Sequence, residues 1–197
     1  MTKVLCLLGS PRRPSNSSLI AQSFAESAAA EGATVTTAVL GELAFSGCRN
    51  LFHCKTGGLH CGLKDDLTAL LDEIYGTDIL LLASPIYFTD VSSQMKQAID
   101  RFYSFFREDY VTNPEKTRLP PGKSLVMILT QGEPETRCAD VFERYGRSFG
   151  YLGFEDRHLM RACRLRAADA VSQYPELLAE AGQLAHRLVT ARLGTLL

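Results

Sequence analysis

Short, unbroken apolar runs alternate with longer segments of helical periodicity along this chain, and that alternation leaves few folds open. A strand buried on both faces needs apolar residues at every position, whereas a helix lying on a sheet needs only one apolar stripe. The first run spans residues 4–8 and ends at Gly9-Ser10-Pro11. The helix after it takes Ser15 or Asn16 as its N-cap, stacks Ile20, Phe24 and Ala28 at i, i+4 and i+8, and closes at Gly32. A weaker strand is expected over residues 35–40. Leu67, Leu70, Leu71 and Ile74 then form an i, i+3, i+4, i+7 stripe, with Asp65 and Asp66 expected in the first turn, where the helix dipole favours anions. Residues 79–83 read as a central strand, Met95, Ile99, Phe102 and Phe106 as the next helix, and residues 124–129 as the next strand. A helix near residues 136–149 and a last strand over 157–163 follow. The final helix carries Leu177, Ala181, Leu184 and Leu188 on one face, with Pro175 in its first turn.

Five β-α units without an internal repeat predict an α/β fold, a doubly wound five-stranded parallel sheet with helices on both faces. A chain of 197 residues suits one domain over residues 1–197. Two connections, 41–64 and 108–121, are long enough to expect a functional role for them. The formal net charge of −1 offers no basic surplus for nucleic acid. No apolar run approaches membrane-spanning length, and the first is too short for a signal-peptide core. A cytoplasmic location is therefore expected, with the six cysteines as free thiols, ligands or redox groups rather than a disulfide framework.

Open α/β sheets bind ligands at the carboxyl ends of their strands. The segment after the first strand, Gly9-Ser10-Pro11-Arg12-Arg13-Pro14-Ser15-Asn16-Ser17-Ser18, has neither the G-x-G-x-x-G of a dinucleotide fold nor the G-K-[ST] of a P-loop. Its hydroxyls, its amide, two arginines and the free N–H groups of a helix start suit a phosphate monoester. An ordinary polar turn with a good cap would use the same residues. Ser84-Pro85-Ile86-Tyr87-Phe88-Thr89 crowds apolar and aromatic residues at the end of the third strand, which suits a planar ligand or a local core patch under the 108–121 loop. Arg157, Arg161, Arg164 and Arg166 read as a solvated edge, with a nicotinamide 2′-phosphate or a second subunit as the alternative partners.

The phosphate-loop pattern G-S-P-R-x-x-S-N-S and the later S-P-I-Y-F-T, with residues 94–102 behind it, resemble the NADPH-dependent FMN reductase and iron–sulfur flavoprotein group. The resemblance runs from about Lys3 to Gly132 and implies a flavodoxin-like fold. It implies that Ser10, Arg12, Ser15, Asn16 and Ser17 hold the phosphate of FMN. Pro85, Ile86, Tyr87 and Phe88 would line the ring, with Gln131 and Gly132 closing the other side. It further implies NAD(P)H as electron donor, a small-molecule acceptor such as a quinone, a nitro compound or free flavin, and a homo-oligomer. No catalytic side chain is expected, since the cofactor carries the chemistry.

Iron–sulfur members of that group carry C-x2-C-x2-C and a fourth cysteine. Here Cys48, Cys54 and Cys61 match the first, third and fourth places, and Leu51 stands at the second. A cubane cluster needs four ligands, so no metal is expected, although His53 or His60 could complete another kind of site. The expected function is an FMN-dependent NAD(P)H oxidoreductase. The alternatives are an iron–sulfur electron carrier and a flavodoxin-like binding module without turnover. Phe102, Tyr103, Phe105 and Phe106 exceed one helix stripe and need a cover, either the 108–121 loop or another subunit.

Overall fold

The computed structural model describes residues 1–194. Five parallel strands form the sheet: β1 (Lys3–Leu8), β2 (Thr34–Val39), β3 (Ile79–Tyr87), β5 (Lys123–Thr130) and β6 (Phe154–Ala162), in the order β2-β1-β3-β5-β6. A sixth strand, β4 (Asp90–Val91), is two residues long and pairs antiparallel with the end of β3. The expected five-stranded parallel sheet is present, with this short hairpin added. The order reverses between β1 and β3, so their carboxyl ends diverge and leave a crevice.

Side-chain alternation divides the core in two. Leu5 and Leu7 of β1, Leu80 and Leu82 of β3, and Leu125, Met127 and Leu129 of β5 face α2 (Leu67–Gly76), α3 (Ser93–Arg101) and α4 (Val141–Tyr151). The intervening residues Val4, Cys6, Ile79, Leu81, Val126 and Ile128 face α1 (Asn16–Ala30) and α5 (Pro175–Gly194). Truncating one of these central leucines to alanine should cost about 2–5 kcal/mol.

Several boundaries differ from the sequence expectation, each through a tertiary contact. β3 continues past Ala83 to Tyr87 because β4 folds back on it, pairing Ile86 with Val91 and Tyr87 with Asp90. Asp65 and Asp66 lie just before α2 rather than in its first turn. Asp66 accepts from the Ala44 N–H, and Asp65 from Ser46 N–H and the buried Arg101. The helix expected from residue 136 begins at Val141, since the carbonyls of Pro134 and Arg137 are held by Gln131. The last strand starts at Phe154, three residues before its expected beginning. The stripe through Phe102 and Phe106 leaves the α-helix at Arg101 and runs on in a 3-10 turn over Phe102–Phe105. The aromatic excess there is covered within the chain by the 108–121 loop. Tyr110 packs on Phe106 and Tyr103 at centroid distances of 4.9 and 5.9 Å, and Arg118 N–H bonds to the Phe105 carbonyl.

Candidate active site at the sheet switch point

The crevice between β1 and β3 opens into a cavity of about 390 Å³. Gly9 leaves β1 with its N–H on the Ala83 carbonyl, and its own carbonyl accepts from Ser92 Oγ at 2.6 Å. A Cβ at Gly9 would lie 2.8 Å from Met95 Cβ and 2.9 Å from Ser92 Oγ, so only glycine lets β1 pass this close to α3. The loop then turns through Ser10 to Pro14 into α1.

Ser15 caps α1 in extended conformation, its hydroxyl accepting from Ser18 N–H and donating to Ser18 Oγ. The first intrahelical bond runs from Leu19 N–H to the Ser15 carbonyl, so the N–H groups of Asn16 and Ser17 have no intrahelical acceptor. No acidic residue occupies that turn, which keeps it electropositive. Ser17 is buried, and among the described residues its Oγ has no hydrogen-bond partner. Such an orphan costs about 1–3 kcal/mol unless a ligand or water meets it. Arg12 lines the cavity with a guanidinium unpaired among the described residues, whereas Arg13 is bound to Glu42.

Ser10, Arg12, Ser15, Asn16, Ser17, Pro85, Ile86, Tyr87, Gln131 and Gly132 all line this one cavity. Three expected roles change. The Ser15 hydroxyl, expected to meet the phosphate, donates its proton to Ser18 Oγ and serves as the helix cap. The Asn16 side chain is committed elsewhere: its Nδ2 donates to the Ala167 carbonyl at 2.7 Å and its Oδ1 accepts from Val171 N–H at 2.9 Å. Only its backbone N–H remains for a ligand. Phe88 lies outside this cavity, because the β3–β4 turn carries its ring into an adjoining one.

The sequence reading missed the segment after β6. Leu165, Arg166 and Ala168 line the cavity too, brought there by Leu165 N–H bonding to the Gln131 carbonyl and by Asn16. Arg166 has no ion-pair partner among the described residues, in contrast to Arg164, which pairs with Glu135 at 3.1 Å. Gln131 is held by its amide on the carbonyls of Glu133, Pro134 and Arg137 and by Arg161 on its Oε1. Of the four arginines expected as a solvated edge, Arg157 bonds to the Gly146 carbonyl of α4, Arg161 and Arg164 anchor the loop before α4, and Arg166 lines the cavity.

Strand order, cavity position and an electropositive helix start define the class: a doubly wound α/β protein of flavodoxin type with an anion-receptive ligand site at its switch point. Residues 2–132 match the NADPH-dependent FMN reductase family, and the chain belongs to it. An iron–sulfur flavoprotein of Methanocaldococcus jannaschii is 32% identical over 99 residues, 50% of this chain and 51% of that protein. An FMN-dependent NADH:quinone oxidoreductase of Ralstonia nicotianae is 31% identical over 123 residues, 60% of this chain and 56% of that one. The chain thus spans little more than half the length of these two relatives. Among solved structures, an FMN-dependent NADH-azoreductase from Bacillus anthracis, in complex with FMN, superposes with a TM-score of 0.72 at 19% identity, covering 95% of this chain and all of that one. An NAD(P)H:quinone oxidoreductase from Methanothermobacter marburgensis reaches a TM-score of 0.75 at 18% identity, covering 95% of this chain and 96% of that one. At that identity the likeness shows the fold.

The cysteine segment does not fit a four-iron cluster. Leu51, at the place of the second thiolate, is exposed. Cys48, Cys54 and Cys61 border a void of only about 20 Å³, and Cys61 Sγ accepts from Arg101 Nε at 3.0 Å. Among the described residues no group of three or more His, Cys, Asp or Glu side chains is arranged to hold a metal ion. Burial works against charge on Asp65, yet the Arg101 guanidinium at 2.8 Å and the Ser46 N–H hold its carboxyl below the usual range. The segment is thus tied to the core by an ion pair.

Proposed function

We propose that the chain is an FMN-dependent NAD(P)H oxidoreductase that reduces a small acceptor. The observation that carries this reading is the buried, unpartnered Ser17 hydroxyl at the first turn of α1, in a cavity at the switch point. A phosphate oxygen there meets the orphaned hydroxyl, the free N–H groups of Asn16 and Ser17, and the helix dipole at once. Family membership supports FMN as the phosphate-bearing ligand.

Ser17, Ser10, Arg12 and the α1 N–H groups would hold the phosphate, with Arg166 as a second cation. Pro85, Ile86 and Tyr87 would cover one side of the ring, and Gln131 and Gly132 the other. The Gln131 amide is locked by three carbonyls, so this wall is fixed before a ligand arrives. Bound FMN supplies two-electron chemistry, with the balance NAD(P)H + H⁺ + quinone giving NAD(P)⁺ and hydroquinone. The chain's own groups bind, orient and exclude water, and no side chain is assigned to proton transfer.

We further read residues 1–197 as one domain working in the cytoplasm as a homo-oligomer. No helix among the described residues is long and apolar enough to cross a membrane, and the six cysteines are unpaired. Exposed Leu51, Phe52 and Leu59 offer apolar surface that a second copy would cover. The activity is tested by mixing FMN-loaded protein with NADH or NADPH and 1,4-naphthoquinone under argon. Quinone-dependent oxidation of at least one nucleotide is expected. FMN uptake with no oxidation of either favours a binding module instead.

A further inference from the structure

A second cavity, of about 640 Å³, adjoins the first and shares Ile86, Gln131, Gly132 and Glu133 with it. Its other walls come from the tip of the β3–β4 hairpin and from the turn before α4. Two features of those walls are unexplained by the core.

The first is Phe88. It is fully exposed, yet it sits at φ +47°, followed by Thr89 at φ +72°. Both central positions of this two-residue turn are left-handed, where glycine or asparagine is usual and a β-branched residue is an outlier. The strain is held by contacts from α4. Arg144 donates to the Thr89 carbonyl at 3.1 Å and pairs with Asp90 at 3.3 Å, and the Tyr145 hydroxyl donates to Asp90 at 2.7 Å. A turn fixed at such cost, with a bare aromatic ring at its tip, is a common device for presenting a side chain to a ligand.

The second is Arg137. Its backbone carbonyl is used by Gln131 and Arg161, but its guanidinium has no ion pair or hydrogen bond among the described residues. The neighbouring arginines at 144, 161 and 164 are all engaged. One free cation and one bare ring thus line the same cavity, next to the ring wall of the first.

We propose that this second cavity is a substrate subsite for a flat aromatic ring bearing an anionic group, with Phe88 covering the ring and Arg137 pairing with the anion. The proposal rests on the reading that FMN occupies the first cavity. An acidic aromatic acceptor has this chemistry, and so does the nicotinamide nucleotide, whose phosphates follow its ring. Two carboxylates share the lining: Glu133, on the shared wall, disfavours an anion placed toward the first cavity, and Asp140 is paired with Arg144 at 3.0 Å, which leaves Arg137 as the uncommitted cation.

The test is equilibrium binding to the FMN-loaded protein, read by perturbation of the flavin absorbance without turnover. The probes are 1,4-naphthoquinone, 1,4-naphthoquinone-2-sulfonate, nicotinamide and NADP⁺. Arg137→Gln should weaken the sulfonate about three- to tenfold relative to the neutral quinone if the acceptor is the source of the anion. It should weaken NADP⁺ relative to nicotinamide if the nucleotide is the source. Arg137→Lys should recover part of the loss in either case. Phe88→Ala should weaken both members of the affected pair. Anionic and neutral probes responding alike to Arg137→Gln overturn the subsite while leaving the flavin reading intact. A protein that takes up no FMN overturns both, and the absent flavin bands identify that case.

Discussion

The side chain of Asn16 joins the first helix to the segment after the last strand, its Nδ2 2.7 Å from the Ala167 carbonyl and its Oδ1 2.9 Å from Val171 N. Both ends of the amide are spent on backbone 151 and 155 residues away in sequence. Asn16 is therefore a clasp that closes the cavity wall around Leu165, Arg166 and Ala168.

Asn16→Ala should then act through the wall. It leaves one buried N–H and one carbonyl unmet, a loss of about 1–3 kcal/mol in stability. FMN and riboflavin should weaken by similar factors, because the clasp shapes the pocket rather than meeting the phosphate. Urea unfolding with flavin titration checks both parts. A loss confined to FMN would assign the side chain to the phosphate after all.

Asn16 also shows where sequence reasoning reaches its limit. An asparagine in a polar loop before a helix is legible as a cap or phosphate ligand, but its partners at Ala167 and Val171 arise only when β6 returns beside β5. The same holds for Arg166, which carries no motif and enters the site through strand order. Asp65 beside a helix start invites a dipole argument, yet Arg101 takes it from 36 residues away. By contrast, an unbroken apolar run, a helical stripe and an N-cap are local signals, so the five-stranded parallel sheet with its helices and the capped α1 could be read directly. Phe88 misled because the strand looks finished at Ala83, before Ser84-Pro85, and its continuation to Tyr87 depends on β4 pairing.

The three thiols of the cysteine segment give a second expectation. With Leu51 at the second position and Cys61 engaged by Arg101, iron and acid-labile sulfide should be near zero after anaerobic purification. Cys54→Ser should leave flavin content unchanged. Four irons and four sulfides per chain would contradict the reading of Leu51.

Lys123 gives the stability a pH dependence. Its side chain is buried at the start of β5, where Nζ donates to the carbonyls of Tyr75 and Thr77. Burial pulls its pKa down to about 8; Asp78 opposes the shift and Arg192 adds to it. In the unfolded chain the lysine keeps its proton to about 10.4. Between these values the unfolded state binds the extra proton, so the contribution to stability rises with pH, by about 1–3 kcal/mol in total, and is flat below pH 8. Lys123→Met should remove that rise. A wild-type-minus-variant difference that stays constant from pH 7 to 10 would contradict it.

The central claim is that the loop after β1 and the start of α1 hold a phosphate. It is tested most directly by the dissociation constants of FMN and riboflavin for the wild type and for Ser17→Ala. Losing one charge-assisted bond costs about 1.5–3 kcal/mol, so FMN should weaken roughly ten- to a hundredfold. Riboflavin, which has no phosphate, should bind the two proteins alike. Equal weakening of both ligands, or none for either, would contradict the account.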